Sequence, residues 1–181
     1  MFEYYFWIWD KAIPKNVCET ILNMADWDNA ENGTFNKGNV YKEDETFRKT
    51  KVLWADPMSI IGCITHNYIS QANKLAGWHF NLGELEPIQL GKYEKSGHYD
   101  WHSDLGKPRN GVQRKLSCSI LLNDETVFEG GNLEFKGVFE QPKLQQGSII
   151  VFPSIIEHRV TPVTNGVRYS AVGWMTGPAF K

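Results

Sequence analysis

The segment HYDWHSD, residues 98–104, gathers His98, Asp100, His102 and Asp104 into one short stretch. On an extended strand alternate residues face one side, so His102 and Asp104 can aim an imidazole and a carboxylate at one point. A third donor must come from elsewhere. His158, in FPSIIEHRVTPV, follows two further strand-like runs that a small barrel would lay beside the first. Two imidazoles and one carboxylate on one face of an octahedron suit a divalent first-row metal and leave three positions open, the pattern of oxygen-activating non-haem Fe(II). Those positions accommodate a bidentate 2-oxo acid and O2. The HxD motif alone is weak, because it recurs by chance and a lone histidine such as His66 or His79 is more often a surface or core residue than a ligand. A zinc hydrolase could use the same three donors.

The company of the motif strengthens it. Ten positions after His158 the run RYS alternates Arg168 and Ser170 onto one strand face, offering a guanidinium fork and a hydroxyl. An inward-facing arginine without an anion is costly to desolvate, so a bound dicarboxylate would account for it on a barrel-lining strand. The alternative is a surface arginine paired with Glu157 or Asp124.

These groups need a frame. PKNVCETILNMADW spaces Val17, Ile21, Leu22 and Met24 at near-helical intervals, and proline is tolerated where a helix starts. Residues 28–39, DNAENGTFNKGN, concentrate Asn, Gly and Asp and predict a flexible loop. A second helix is predicted over 57–75, with Asp56 as cap, Pro57 at the first position, a stripe of Ile60, Ile61, Ile64, Tyr68 and Ile69, and Gly77 as stop. Beyond Trp78 the pattern changes to short runs punctuated by Gly, Asn and Pro: EPIQLGKYE, KLSCSILLN, GNLEFKG, SIIVFPS, HRVTPV and RYSAVGWM. The fold is therefore mainly β with flanking helices, a sandwich or jelly roll packed against N-terminal helices.

Length sets the scale: 181 residues make one domain with a real core. With 19 Lys and Arg against 21 Asp and Glu, a net charge of −2 offers no general phosphate-binding surface, so no nucleic-acid partner is expected. Aromatic residues at 13%, with 7 Trp, suit sheets that bury flat side chains. Cys18, Cys63 and Cys118 are too few and scattered for a disulfide framework or a CxxC metal site. The aromatic N-terminus lacks a basic region, and no apolar run reaches membrane-spanning length. The expectation is a cytoplasmic protein with no membrane partner.

The ordered series QLGKYEKSGHYDWHSD, RKLSCSILLN, EGGNLEF and QQGSIIVFPSIIEHRVTPVTNGVRYSAVGW resembles the catalytic domain of the prolyl 4-hydroxylase-like 2-oxoglutarate oxygenases. The wording from Gly130 to Arg168 is similar to the bacterial PKHD-type hydroxylases in its GG, FPS and H-x-V-x-P-V-x-x-G-x-R elements. The resemblance covers about residues 87–175 and implies a double-stranded β-helix, with residues 1–80 as a helical support region of the same single domain (1–181). It also implies iron on His102, Asp104 and His158, with Arg168 on the C5 carboxylate of 2-oxoglutarate. Tyr93, offset by one residue, and Tyr99 match tyrosines that line the co-substrate pocket in the family. Val160 would form an apolar wall there, Ser170 would add a hydrogen bond, and Trp174 matches an aromatic near the pocket mouth, a position that core packing explains equally well. One departure is Leu121, where animal members carry a co-substrate-binding tyrosine.

The implied activity is hydroxylation of a C–H bond with Fe(II), 2-oxoglutarate and O2, supported by ascorbate, on a prolyl residue of a peptide or protein. A free amino acid or other small molecule is the alternative substrate. Nucleic-acid demethylases are a poorer match, because they carry a second arginine six residues after the first, where this chain has Trp174. The rival of a different class is a non-catalytic β-sandwich binding module.

Overall fold

The computed structural model describes residues 3–37 and 40–180. In chain order its elements are β1 (Trp7–Trp9), α1 (Lys15–Met24), β2 (Glu31–Asn32), β3 (Phe35–Lys37), β4 (Val40–Lys42), β5 (Arg48–Lys49), β6 (Lys51–Ala55), α2 (Ile60–Leu75), β7 (Ile88–Tyr93), β8 (His98–His102), β9 (Val112–Leu121), β10 (Phe128–Gly130), β11 (Leu133–Phe135), β12 (Ile149–Pro153), β13 (His158–Val160), β14 (Val163–Gly166) and β15 (Arg168–Pro178). A major antiparallel sheet runs in the order β1-β12-β9-β15-β7-β6-β2, and a minor one runs β11-β13-β8-β5. Together they form the jelly roll that the strand pattern predicts, in the double-stranded β-helix form that the resemblance implies.

The alternation of side chains along each strand sorts them into two compartments. On β12, Ile149 and Val151 join the core beneath the helices, whereas Ile150 and Phe152 join the core between the sheets. On β9, Leu116, Cys118 and Ile120 face the helices. Ser117, Ser119 and Leu121 therefore face the barrel interior, opposite Trp174, Val172 and Ser170 of β15. That inner face is polar for buried sheet, with Ser117, Ser119 and Ser170 all buried on it.

Helix α2 covers the outer face of the major sheet through Ile61, Thr65, Ile69 and Ala72, spaced to share one stripe. Ile69 is fully buried, which contributes roughly 1.5–3 kcal/mol. Gly173 permits this close approach, since a Cβ there would lie 2.5 Å from Thr65 Cγ2. The N-cap is Ser59, whose hydroxyl accepts from the Gly62 amide at 3.3 Å. Asp56 instead accepts from the Met58 amide at 2.7 Å, so Asp56 and Pro57 shape the preceding turn and the helix starts three residues later than predicted.

The first eighty residues do more than supply helical support. They give the major sheet β1 at one edge and β6 and β2 at the other, and the minor sheet β5. The predicted loop over 28–39 is corrected in the same way: Trp27–Asn29 form a 3-10 turn, followed by β2 and β3. Gly38 and Asn39 lie outside the described residues. Pairing imposes this order on a polar sequence, with Glu31 opposite Val52 and the Gly33 amide donating to the Thr50 carbonyl at 2.8 Å. Among the described residues no helix is long and apolar enough to cross a membrane.

Candidate active site

Strands β8 and β13 are antiparallel neighbours, and His102 stands directly opposite His158. Cross-strand partners face each other closely, so the two imidazoles meet, with ring centroids 4.3 Å apart. Asp104 lies just past the end of β8 rather than on the strand itself. Between His102 and Asp104, the Ser103 hydroxyl donates to the Ser154 carbonyl at 2.9 Å, tying this turn to the end of β12. The Nε2 of His102 lies 3.7 Å from Asp104 Oδ1, and the Nε2 of His158 lies 3.5 Å from Oδ2. One donor atom from each residue falls within 4.8 Å of the others, a geometry that can hold a metal ion.

The protonation chemistry fits a cation. His102 Nδ1 is 2.7 Å from the Asp100 carbonyl and His158 Nδ1 is 3.0 Å from the Ile156 carbonyl. A carbonyl can only accept, so each Nδ1 carries the proton and each Nε2 offers its lone pair to the shared point. Burial, reinforced by the neighbouring His158, pushes the His102 imidazole down to about 3 and keeps it neutral. Burial alone would raise the Asp104 carboxyl, but the two imidazoles and Arg114 outweigh it and hold the group at about 2. Its Oδ2 is buried without a hydrogen-bond partner, a position a bound divalent ion would satisfy.

The two imidazoles are held differently. His158 is buried against the rings of Phe152 and Phe135, at centroid distances of 4.6 and 6.1 Å. His102 is stacked face to face on Tyr99, 3.5 Å away and 15° from parallel. The Arg48 guanidinium lies 4.5 Å from the centre of the same Tyr99 ring. Arg48 was not a sequence candidate, since TFRKTK reads as an ordinary charged run.

Arg168 and Ser170 share the inward face of β15, and Arg168 Nη1 donates to Ser170 Oγ at 3.0 Å. Arg168 is 2% exposed and forms no ion pair among the described residues. Glu157 and Asp124 pair instead with Lys136 and Lys15, which removes the surface-arginine alternative. Burial lowers the affinity of its guanidinium for a proton, so a desolvated cation waits here without a counter-ion. Tyr93 faces it across β7, Leu121 lies opposite Ser170 on β9, and Gly131 lies against its stem. Val160 packs in the inter-sheet core with Tyr93, Leu133 and Phe152.

Trp174 lines the same face nearer the mouth. Its ring stacks under Arg114 at 3.8 Å, and Arg114 is clamped by both oxygens of Glu86. Trp54 stands 6.4 Å from it, on β6, and is 54% exposed although its strand position faces the barrel interior. The buried Trp174 indole nitrogen makes no hydrogen bond of full geometry, yet it lies near enough to Asp104 to help hold that carboxyl low.

Comparison with known proteins agrees with this geometry. The model of the 2OG-Fe(II) oxygenase superfamily matches residues 88–176. A PKHD-type hydroxylase from Synechococcus sp. strain CC9605 is 30% identical over 152 residues, which span 81% of this chain and 68% of that relative. The chain belongs to the 2OG-Fe(II) oxygenase superfamily. The cofactors of that superfamily are Fe(II) and 2-oxoglutarate, and the His102, Asp104 and His158 cluster fits a bound metal ion. A second PKHD-type hydroxylase, from Synechococcus sp. strain CC9311, is 40% identical over 94 residues, and this chain covers 42% of its length, less than half. The fold is also that of a Pseudomonas putida prolyl-4-hydroxylase, at a TM-score of 0.71 and 20% identity over 98% of this chain and 95% of the other.

Proposed function

We propose that His102, Asp104 and His158 hold Fe(II), that Arg168 with Ser170 binds the distal carboxylate of 2-oxoglutarate, and that the enzyme hydroxylates a C–H bond of a prolyl residue in a peptide or protein. The observation that carries the reading is Arg168: a buried guanidinium with no carboxylate partner among the described residues, facing Tyr93 of the same inter-sheet core whose Phe152 packs on His158 of the convergent His-Asp-His set. The iron, once bound, supplies O2 activation coupled to decarboxylation of 2-oxoglutarate.

The residues of the chain do the rest. The paired carbonyls at Asp100 and Ile156 keep both Nε2 atoms aimed and deprotonated. Arg168 and Ser170 fix the far end of the co-substrate, so its 2-oxo acid end is directed toward the triad. The Tyr93, Leu133, Phe135, Phe152 and Val160 side chains exclude water from the inner end of the chamber. The mouth, with Trp54 exposed beside Trp174, offers flat apolar surface on which a pyrrolidine ring can rest. The prolyl-4-hydroxylase that shares the fold favours a prolyl target, and the free thiols of Cys18, Cys63 and Cys118 favour a reducing, cytoplasmic setting.

The test is 2-oxoglutarate turnover to succinate under Fe(II), ascorbate and O2, screened against proline-containing peptides and free amino acids with detection of a gain of one oxygen. Turnover should vanish in His102→Ala, Asp104→Ala and Arg168→Ala. Unchanged turnover in these variants overturns the site; oxygen gained only on a free amino acid overturns the peptide substrate.

A further inference from the structure

We propose that Arg48 positions the metal ligand His102, acting through Tyr99, and thereby ties metal binding to the seating of the N-terminal arm, residues 31–37 and 40–48. The inference rests on the reading of His102, Asp104 and His158 as metal ligands.

An imidazole ligand needs two constraints to aim its Nε2: one on its edge and one on its face. The Asp100 carbonyl supplies the edge constraint for His102. Tyr99 supplies the face constraint, stacked at 3.5 Å and 15°. With one face of the Tyr99 ring covered by His102, the Arg48 guanidinium, 4.5 Å from the ring centre, occupies the other. The order is cation, phenol, imidazole. Tyr99 and Arg48 are also register partners on β8 and β5, so the backbone holds the stack from the side.

Among the described residues no ion pair accounts for a cation at this place. Arg48 is 93% buried by its 7% exposure, and its hydrogen bonds go to neutral acceptors: Nη1 to the Thr34 carbonyl and Nη2 to Gln89 Oε1, both at 2.6 Å. Its Nε is buried without a partner. No carboxylate pairs with it among the described residues. Beside those two hydrogen bonds, the π face of Tyr99 is the electrostatic partner that the fold gives this guanidinium, and a desolvated cation is attracted to such a face.

The other end of the stack is the arm. Thr34 precedes β3, Phe35 packs on Phe47 at 4.5 Å, and Phe47 meets the edge of Tyr99 at 5.7 Å. Gly33 lets the arm lie directly on the guanidinium, since a Cβ there would come within 2.7 Å of Arg48 Nε. His158 has no such connection, being held by Phe135 and Phe152 of the inter-sheet core. One ligand is thus set by the core and the other by the arm.

The test uses the full chain and Co(II) without 2-oxoglutarate, following affinity by titration and coordination geometry by the visible d–d bands. Tyr99→Phe keeps the stack and should bind as the parent does. Tyr99→Leu removes the stack and should bind about ten-fold more weakly, the low end of what loss of a ligand's outer support costs, with altered bands. Arg48→Met should also weaken binding and alter the bands, but add less than two-fold once Tyr99 is leucine. Parent-like affinity in Tyr99→Leu, or an Arg48→Met effect of the same size in both backgrounds, overturns the proposal. Should Arg48→Met fail to fold, the contrast between Tyr99→Phe and Tyr99→Leu decides alone. A parent that binds no Co(II) instead overturns the metal-site reading beneath it.

Discussion

Arg168 and Tyr93 stand opposite each other in antiparallel register on β15 and β7, with the guanidinium carbon 5.3 Å from the phenol ring centre. The cation therefore looks onto a π face and a hydroxyl, and onto no carboxylate. An arrangement of this kind leaves the apo protein carrying an uncompensated desolvation cost that an incoming dicarboxylate would relieve.

That cost makes a prediction with an unusual sign. Arg168→Met should leave the metal-free, co-substrate-free protein as stable as the parent or more so, because replacing a buried charge by an apolar side chain of similar volume is often neutral or stabilising. It should abolish the thermal stabilisation that 2-oxoglutarate gives the metal-loaded parent. Differential scanning fluorimetry with and without each ligand reads both effects. A variant still stabilised by 2-oxoglutarate would place the carboxylate elsewhere.

Gly131 sits at φ +61°, and a Cβ there would lie 2.8 Å from Arg168 Cδ. Gly131→Ala should displace the arginine stem and raise the KM for 2-oxoglutarate at least ten-fold, which is about 1.4 kcal/mol, while Co(II) affinity stays at the parent value. Equal losses in both would mean general misfolding instead of a displaced fork.

The metal-free protein should lose stability as the pH falls. The His102 imidazole titrates near 6.5 when unfolded and about 3 when folded, so between those values the unfolded chain binds a proton that the folded one refuses. Stability from this group is full above pH 6.5 and declines by at most about 1.4 kcal/mol per pH unit below it. Asp104 adds to the loss in the same direction, its contribution being complete above 3.8 and gone once the pH passes through about 2. Urea midpoints between pH 7 and 4 should fall in the parent and flatten in His102→Gln. An identical slope in the variant would show that another group governs the acid limb.

Trp54 offers a separation of binding from folding. Being 54% exposed, it contributes little to the core, and Trp54→Ala should change stability by no more than about 0.5 kcal/mol. The KM for a proline-containing peptide should rise several-fold, with the KM for 2-oxoglutarate unchanged. Unchanged peptide kinetics would move the substrate surface away from the mouth beside Trp174.

The parts of this architecture legible in the sequence are those written locally. His102 and Asp104 are two residues apart, Arg168 and Ser170 alternate on one strand, and KLSCSILL shows its two faces in its letters. His158 was found because a barrel brings sequential strands together. Arg48 escaped notice because its burial depends on β5 pairing with β8 across some fifty residues, and nothing in TFRKTK separates a buried cation from the lysines beside it. The strands of the first eighty residues were hidden for the same reason: two- and three-residue segments carry no periodicity, and their partners are remote. The cap of α2 was misassigned because Asp56 and Ser59 are both competent acceptors, and only the fold decides which amide each meets.

Strand β1 is short, yet it lies along β12, whose five residues are all buried and which leads into His158. Trimming the chain to begin at Lys11 would leave the β12 edge with unpaired backbone amides and carbonyls between apolar side chains, a template on which a second molecule could add a strand. Such a truncated protein should self-associate before its iron site is lost, so the aromatic WIW triplet acts as a guard against aggregation as much as a piece of the sheet.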